Sequence, residues 1–345
     1  MGALFGIILH AIGGFAAASF YTPFKKVKFW AWETYWLVGG VASWIIMPWL
    51  IAWLTVPSLG SLLSSVPTDT LLWTYGFGVL WGIGGLTFGL SMRYLGLSLG
   101  YAIALGFCAA FGTLIPPIFA GSFLQLLSIP SGLIVIMGVV ICLIGIGICG
   151  KAGVRKENEL PEADKKETIA EFDLKKGIGV AIFAGILSAC MAFGLAAGKP
   201  IAEAAMLSGT DPLWQNSAVL VVVLAGGFTT NFLWSFALNI KNNTIKDYRK
   251  GSKTLLVNNY IFSSLAGIIW YFQFMFYGMG ASKMGKFDFA SWTLHMAFII
   301  VFSNLWGFYF REWKGVSTGT KRTIYLGILI IISSTILIGM GTYFS

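Results

Sequence analysis

Asp288, Ser291, Trp292 and His295 occur in the stretch FDFASWTLHMAF, spaced i, i+3, i+4 and i+7, which puts all four on one face of a helix. The chain has only two histidines, and both stand in apolar runs; the other is His10, in GIILHAIGG. An imidazole titrates near neutral pH, so a histidine inside a membrane can take a proton from one side and release it to the other. Asp288 is the rival carrier, or else a charge at a helix mouth, where acids are stabilised. A second face lies in WYFQFMFY, where Trp270, Gln273 and Tyr277 fall at i, i+3 and i+7. Gln273 offers two donors and an acceptor, a match for vicinal hydroxyls, and Trp or Tyr rings can lie against the C–H face of a sugar ring. Trp292, Ser291 and Trp81 complete the candidate binding groups. The structural alternative for each ring is packing against helices or lipid, and for each histidine a helix–helix hydrogen bond.

The elements that must position these residues are membrane helices. Of the 345 residues, 57% are apolar and 11% charged, with a mean hydropathy of +0.80. A soluble chain carries roughly twice that charge. The pattern predicts an all-α polytopic membrane protein with ten transmembrane helices, near 3–24, 35–56, 70–92, 98–121, 131–150, 177–198, 214–240, 255–279, 288–310 and 322–344. The short alternating segments of a membrane barrel are absent from the sequence. Lys25, Lys26 and Lys28 follow the first span instead of preceding it, the reverse of a signal peptide, so that span is expected to be retained. His10, Gln273 and His295 then fall at about the same depth, ~10 Å from one face.

With both termini outside, 20 of the 23 Lys and Arg lie in cytoplasmic segments. The net charge of +9 is therefore a matter of orientation, and no nucleic-acid partner is implied. The hydrophilic stretch 151–176 divides the chain into two five-helix halves, 1–150 and 177–345. Gly78, Trp81, Gly89 and Gly96 superpose without gaps on Gly267, Trp270, Gly278 and Gly285, the signature of two inverted repeats. Small residues at four-residue spacing, such as Gly194 and Gly198, allow helices to approach closely.

All fourteen acids lie in loops or near span ends, and no Lys or Arg is mid-span. A charge at the bilayer centre costs about 2.5–3.5 kcal/mol, so carriers of ionic solutes keep one for a purpose. Its absence points to a small neutral substrate. Lys199 and Glu203, four residues apart, are expected to pair at the outer surface. The four cysteines show no metal-ligand or disulfide spacing, and neither a cofactor nor a metal is expected. A membrane enzyme would need acids, a metal set or a nucleophile–base pair on one face, and a sensor would need an output domain; the sequence offers neither.

The stretches HAIGGFAAASFYTPFKKVKFWAWE, LWGIGGLTFGLSMRYLG, AAGKPIAEAA, WYFQFMFYGMG and SWTLHMAF closely resemble the bacterial L-rhamnose–proton symporter family of the drug/metabolite transporter superfamily. The resemblance runs from the first span to the last. It implies ten helices in two inverted halves and import of L-rhamnose or a related 6-deoxyhexose with protons across the inner membrane. It departs from the family pattern at Gly85 and Thr87, where asparagines are expected, and at Ala202, Asn258 and Ala281, where histidines are expected. His10 and His295 are kept. A carrier of another neutral sugar or small polar metabolite, without proton coupling, is the alternative.

Overall fold

The computed structural model describes residues 2–159, 173–311 and 313–344, and every regular element among them is helical. Helix α1 (Gly2–Ser19) and the short α2 (Tyr21–Phe24) form the first apolar stretch. A second contains α3 (Trp32–Gly40) and α4 (Met47–Thr55), joined without a break by a single wide π-helical segment, Val41–Ile46. Pro48 explains the wide turn: its ring would clash with the carbonyl four residues earlier in an α-helix, and the extra residue moves that carbonyl away. After α5 (Leu59–Ser65) come α6 (Thr68–Phe119), α7 (Phe123–Leu127) and α8 (Pro130–Glu159). The rest of the chain forms α9 (Leu174–Ala197), α10 (Lys199–Leu207), α11 (Ser217–Lys241), α12 (Lys253–Ala281), α13 (Ala290–Tyr309) and α14 (Thr318–Tyr343).

Among the described residues, nine stretches are long and apolar enough to cross a membrane. The expected span at 98–121 corresponds to Ile103–Phe119, apolar but shorter than those nine. The expected linker 151–176 begins as a continuation of α8, and residues 160–172 lie outside the described residues.

Helix α6 is not one rod. As a rod, its 52 residues would reach about 78 Å, with Gly84 and Ala104 about 30 Å apart. Yet Gly84 lies against Ser188 and Ala104 against Gly185, three residues apart on α9. Thr74 meets Gly194 and Gly198 near the far end of α9, and the Tyr94 carbonyl accepts from Asp173 N at 3.3 Å at its start. The run therefore descends along α9 to Tyr94 and climbs back from Ala104.

Several helix packings recur along the chain. Helix α1 packs on α12 and α13, while α9 packs on both arms of α6; α3 packs on α12, while α11 packs on α6; α8 packs on α14. A methyl group on Gly78 would strike the Val223 carbonyl of α11, and one on Gly267 would strike the Gly39 carbonyl of α3. Outward-facing Leu, Ile, Phe and Trp side chains, among them Trp53, Leu72 and Leu233, stay exposed, as a lipid-facing surface requires.

One end of the bundle is basic and tightly tied. Lys25 lies over the Phe310 ring, Arg155 donates to Thr323 Oγ1 at 3.0 Å, and Glu159 accepts from Ser317 N, Ser317 Oγ and Thr320 Oγ1 at 2.6–2.7 Å. The opposite end holds Lys199, Lys283 and Lys286.

Candidate functional site

Helix α12 carries residues into two separate buried clusters. Near the end opposite the basic one, four rings from three helices meet. His10 of α1 and His295 of α13 each lie 5.4 Å, between ring centroids, from Tyr277 of α12. Trp292 lies 5.6 Å from Tyr277, and the two imidazoles are 6.4 Å apart. Glycines make the room: a methyl on Gly280 would come within 2.8 Å of the His10 ring, and one on Gly13 within 3.2 Å of His295. Gly112 leaves the same kind of space for Trp292, whose Nε1 donates to the Cys108 carbonyl at 3.1 Å.

This cluster is closed and polar. Both histidines and Ser291 are fully buried, and Gln273 is 3% exposed. Both ring nitrogens of each histidine, Gln273 Nε2 and Ser291 Oγ have no hydrogen-bond partner among the described residues. Each such group costs about 1–3 kcal/mol, so a fold retains several together only for a purpose. Charging both imidazoles at once would cost about 2.6 kcal/mol at 6.4 Å and an effective dielectric of about 20. Charge on both rings together is therefore disfavoured.

Asp288 stands at the rim, two turns before His295, and pairs with Lys199 at 2.8 Å. The expected pair of Lys199 with Glu203 is replaced by this one: the bend before α13 brings Asp288 within reach. Both partners are at least one-third exposed, which makes the pair a weak tie.

The second cluster is a narrow aromatic cleft between α2, α3 with its π segment, and α12. It has room for about one water, so a monosaccharide would enter only once its walls move apart. Phe20, Trp36, Trp44 and Trp270 form its walls; Gly39, Gly40 and Gly267 let the helices close around it. Phe20 and Trp270 are 4.3 Å apart, and Trp36 and Trp44 are 6.0 Å apart. Ser43 Oγ, Trp44 Nε1 and Trp270 Nε1 line the cleft with no hydrogen-bond partner among the described residues. Rings with unused donors are what a polyol needs: faces for its C–H groups and donors for its hydroxyls.

Of the residues singled out from the sequence, His10, Tyr277, Trp292 and His295 come together, and Trp270 lies in the cleft. Gln273 sits on α12 between them, one turn from Tyr277 and just under one from Trp270. Trp81 lies outside the lining, packed 6.2 Å from Trp44 and 5.4 Å from Phe274 against Gly227. The sequence reasoning missed Phe20, Trp36, Ser43 and Trp44. Trp36 and Trp44 are eight residues apart, off-phase in an α-helix, but the extra residue of the π segment makes that spacing two turns.

No cluster of metal-ligating side chains occurs among the described residues. The family profile described as L-rhamnose-proton symport protein (RhaT) matches residues 2–343. Three proteins named L-rhamnose-proton symporter align over 339 residues, 97% of this chain and 97% of their own lengths: that of Citrobacter koseri at 40% identity, that of Escherichia coli strain SMS-3-5 at 41% and that of Shigella dysenteriae serotype 1 at 41%.

Proposed function

The chain belongs to the L-rhamnose-proton symport protein family and is a membrane transporter, not an enzyme, and we propose that it imports L-rhamnose with protons by alternating access of two inverted halves. The observation that carries this is a family match over nearly the whole chain, residues 2–343, in a bundle whose buried polar groups form two clusters on one helix.

The halves are 1–150 and 177–345, joined by 151–176, with ten crossings. The fold-back of α6 between Tyr94 and Ala104 supports two crossings there, and the equivalent contacts of Gly78 and Gly267 support the repeat. The membrane is the bacterial inner membrane, with the basic end cytoplasmic and both termini periplasmic, as the 20 basic residues at that end favour. Lipid covers the exposed apolar faces.

The sugar sits in the cleft against Trp270, Trp44 and Trp36, with Ser43 Oγ and the two free indole N–H groups on its hydroxyls. Gln273 is placed to contact the sugar's other side, toward Tyr277, Trp292 and Ser291. The proton is carried at His295 with His10 beside it, while Asp288 holds the outer rim through Lys199. Sugar and proton favour the same state through α12, which contacts both clusters, and that shared preference is the coupling free energy.

Purified protein in liposomes should accumulate labelled L-rhamnose when an inward proton gradient is imposed. Sugar flux that ignores the gradient would remove the coupling, and no flux at all would remove the sugar assignment.

A further inference from the structure

Helix α11 carries a row of polar side chains that neither cluster uses. Asn231, Ser235 and Asn239 follow one another at four-residue steps and are 4%, 0% and 0% exposed. Such a stripe inside a membrane helix is costly and marks a path or a partner. Its upper end touches the cleft, where Asn231 Oδ1 accepts from Trp36 Nε1 at 3.2 Å. Lower down, Ser235 Oγ and Asn239 Oδ1 have no hydrogen-bond partner among the described residues. On α12, which flanks the same stretch of α3, Ser263 is also fully buried with its Oγ unpartnered, and its backbone carbonyl lies beside Gly39.

At the basic end the row runs into a lock between the two halves. The Asn239 carbonyl accepts from Thr244 N at 3.0 Å. Glu33, 5% exposed, accepts from Asn242 Nδ2 at 3.0 Å and Thr244 Oγ1 at 2.9 Å. Asp247 Oδ2 accepts from Ala31 N at 2.9 Å and Thr34 Oγ1 at 3.4 Å. Asn259 grips the Lys28 backbone at both ends, accepting from N at 3.1 Å and donating to O at 2.8 Å. Six hydrogen bonds thus join residues 28–34 to residues 242–259, two of them to the buried Glu33 and one from the amide of the α3 N-cap, Ala31.

We propose that the Asn231–Ser235–Asn239 row is the path by which a neutral polyhydroxylated solute passes between the aromatic cleft and the basic end, and that the Glu33–Asp247 lock is its closed gate. A sugar leaving the cleft exchanges its hydroxyl partners one at a time, and the row presents an amide or hydroxyl at every turn, about 6 Å apart. The Trp36–Asn231 bond hands the solute from the cleft to the row. Breaking the lock frees both acids to solvent at the basic end and opens the lower part of the row. The inference rests on the cleft being the sugar site.

The test uses the full chain in liposomes with single cysteines, Ser235→Cys and Asn239→Cys, and Ser263→Cys as a third position should either fail to be produced. The wild-type protein, whose four cysteines are all buried, is the labelling control. A membrane-impermeant thiol reagent added at the basic face should label the introduced cysteines. Saturating L-rhamnose should change the rate, and adding Glu33→Gln with Asp247→Asn should raise it about tenfold by weakening the lock's charge-assisted bonds. Introduced cysteines that stay unlabelled in protein that still moves rhamnose would overturn the path. Labelling that the lock substitutions leave unchanged would overturn the gate. Absence of rhamnose flux in the wild-type protein would be a failure of the cleft assignment instead.

Discussion

Trp270→Phe separates a ring that binds from a ring that packs. Trp270 Nε1 has no hydrogen-bond partner among the described residues, so removing it breaks no bond seen there and leaves the 4.3 Å contact with Phe20 largely in place. In the complex the same change removes one neutral hydrogen bond to a sugar hydroxyl, about 0.5–1.5 kcal/mol, which weakens the affinity by about 2- to 13-fold. Ligand binding only to the folded state stabilises it by RT ln(1 + [L]/Kd). At a rhamnose concentration of about 100 Kd this is about 2.7 kcal/mol for the wild type, and about 1.4 kcal/mol after a tenfold loss of affinity. The expected outcome in a thermal-unfolding assay is therefore a sugar-free midpoint unchanged or raised, with the rhamnose-induced rise roughly halved. Trp270→Ala, by contrast, should lower the sugar-free midpoint as well, because loss of a partly buried indole costs about 3–5 kcal/mol. An undiminished rhamnose effect in Trp270→Phe would refute the contact, and a lowered sugar-free midpoint would show that Nε1 is bonded within the protein.

His295→Gln should let rhamnose equilibrate across the membrane but not accumulate, and should abolish sugar-dependent proton uptake; wild-type accumulation would clear His295 of the proton. Gly267→Ala and Gly78→Ala should each destabilise by about 1–3 kcal/mol, because the added methyl meets a backbone carbonyl that cannot rotate away. Similar losses at the two positions in chemical unfolding support their equivalence, and two neutral substitutions would contradict it. Hydrogen bonds from Thr320, from the Ser317 backbone and from the Ser317 hydroxyl hold the Glu159 carboxyl below its ordinary value of 4.5. A depressed folded value means that the tie between α8 and α14 contributes above the unfolded pKa and is lost as the pH falls through the folded one. The stability difference between wild type and Glu159→Gln, measured by thermal unfolding, should be present at neutral pH and vanish on acidification below 4.5.

Hydropathy alone located nine of the ten expected spans, because a bilayer forces long apolar segments to satisfy their backbones internally. The grouping of His10 with His295 was legible because scarce polar residues at equal depth in an apolar bundle have few other places to go. Tyr277 and Trp292 followed from simple helical phase. The aromatic cleft was half hidden for the opposite reason. Trp270 was readable from α12, a regular helix, but Trp44 and Ser43 lie in the π segment, where a 3.6-residue period assigns side chains to the wrong face. Tertiary reach explains the other departures. Asp288 finds Lys199 because a bend outside the helix, not a spacing within it, brings the two together. The fold-back within α6, seen in its contacts with α9, falls where the sequence separates the expected spans 70–92 and 98–121.

Helix α3 begins at Ala31, which has no side chain able to cap it, and the carboxylate that serves its first turn comes from Asp247, more than two hundred residues away. Its N-cap amide is therefore satisfied by a borrowed group, and any movement that withdraws Asp247 leaves the Ala31 amide facing water. Deuterium uptake at the Ala31 amide becomes an internal clock for that movement, slow when the ends are joined and fast when they part. Ala31→Ser or Ala31→Asp would cap the amides two and three residues on, so α3 would stay wound when Asp247 releases the Ala31 amide.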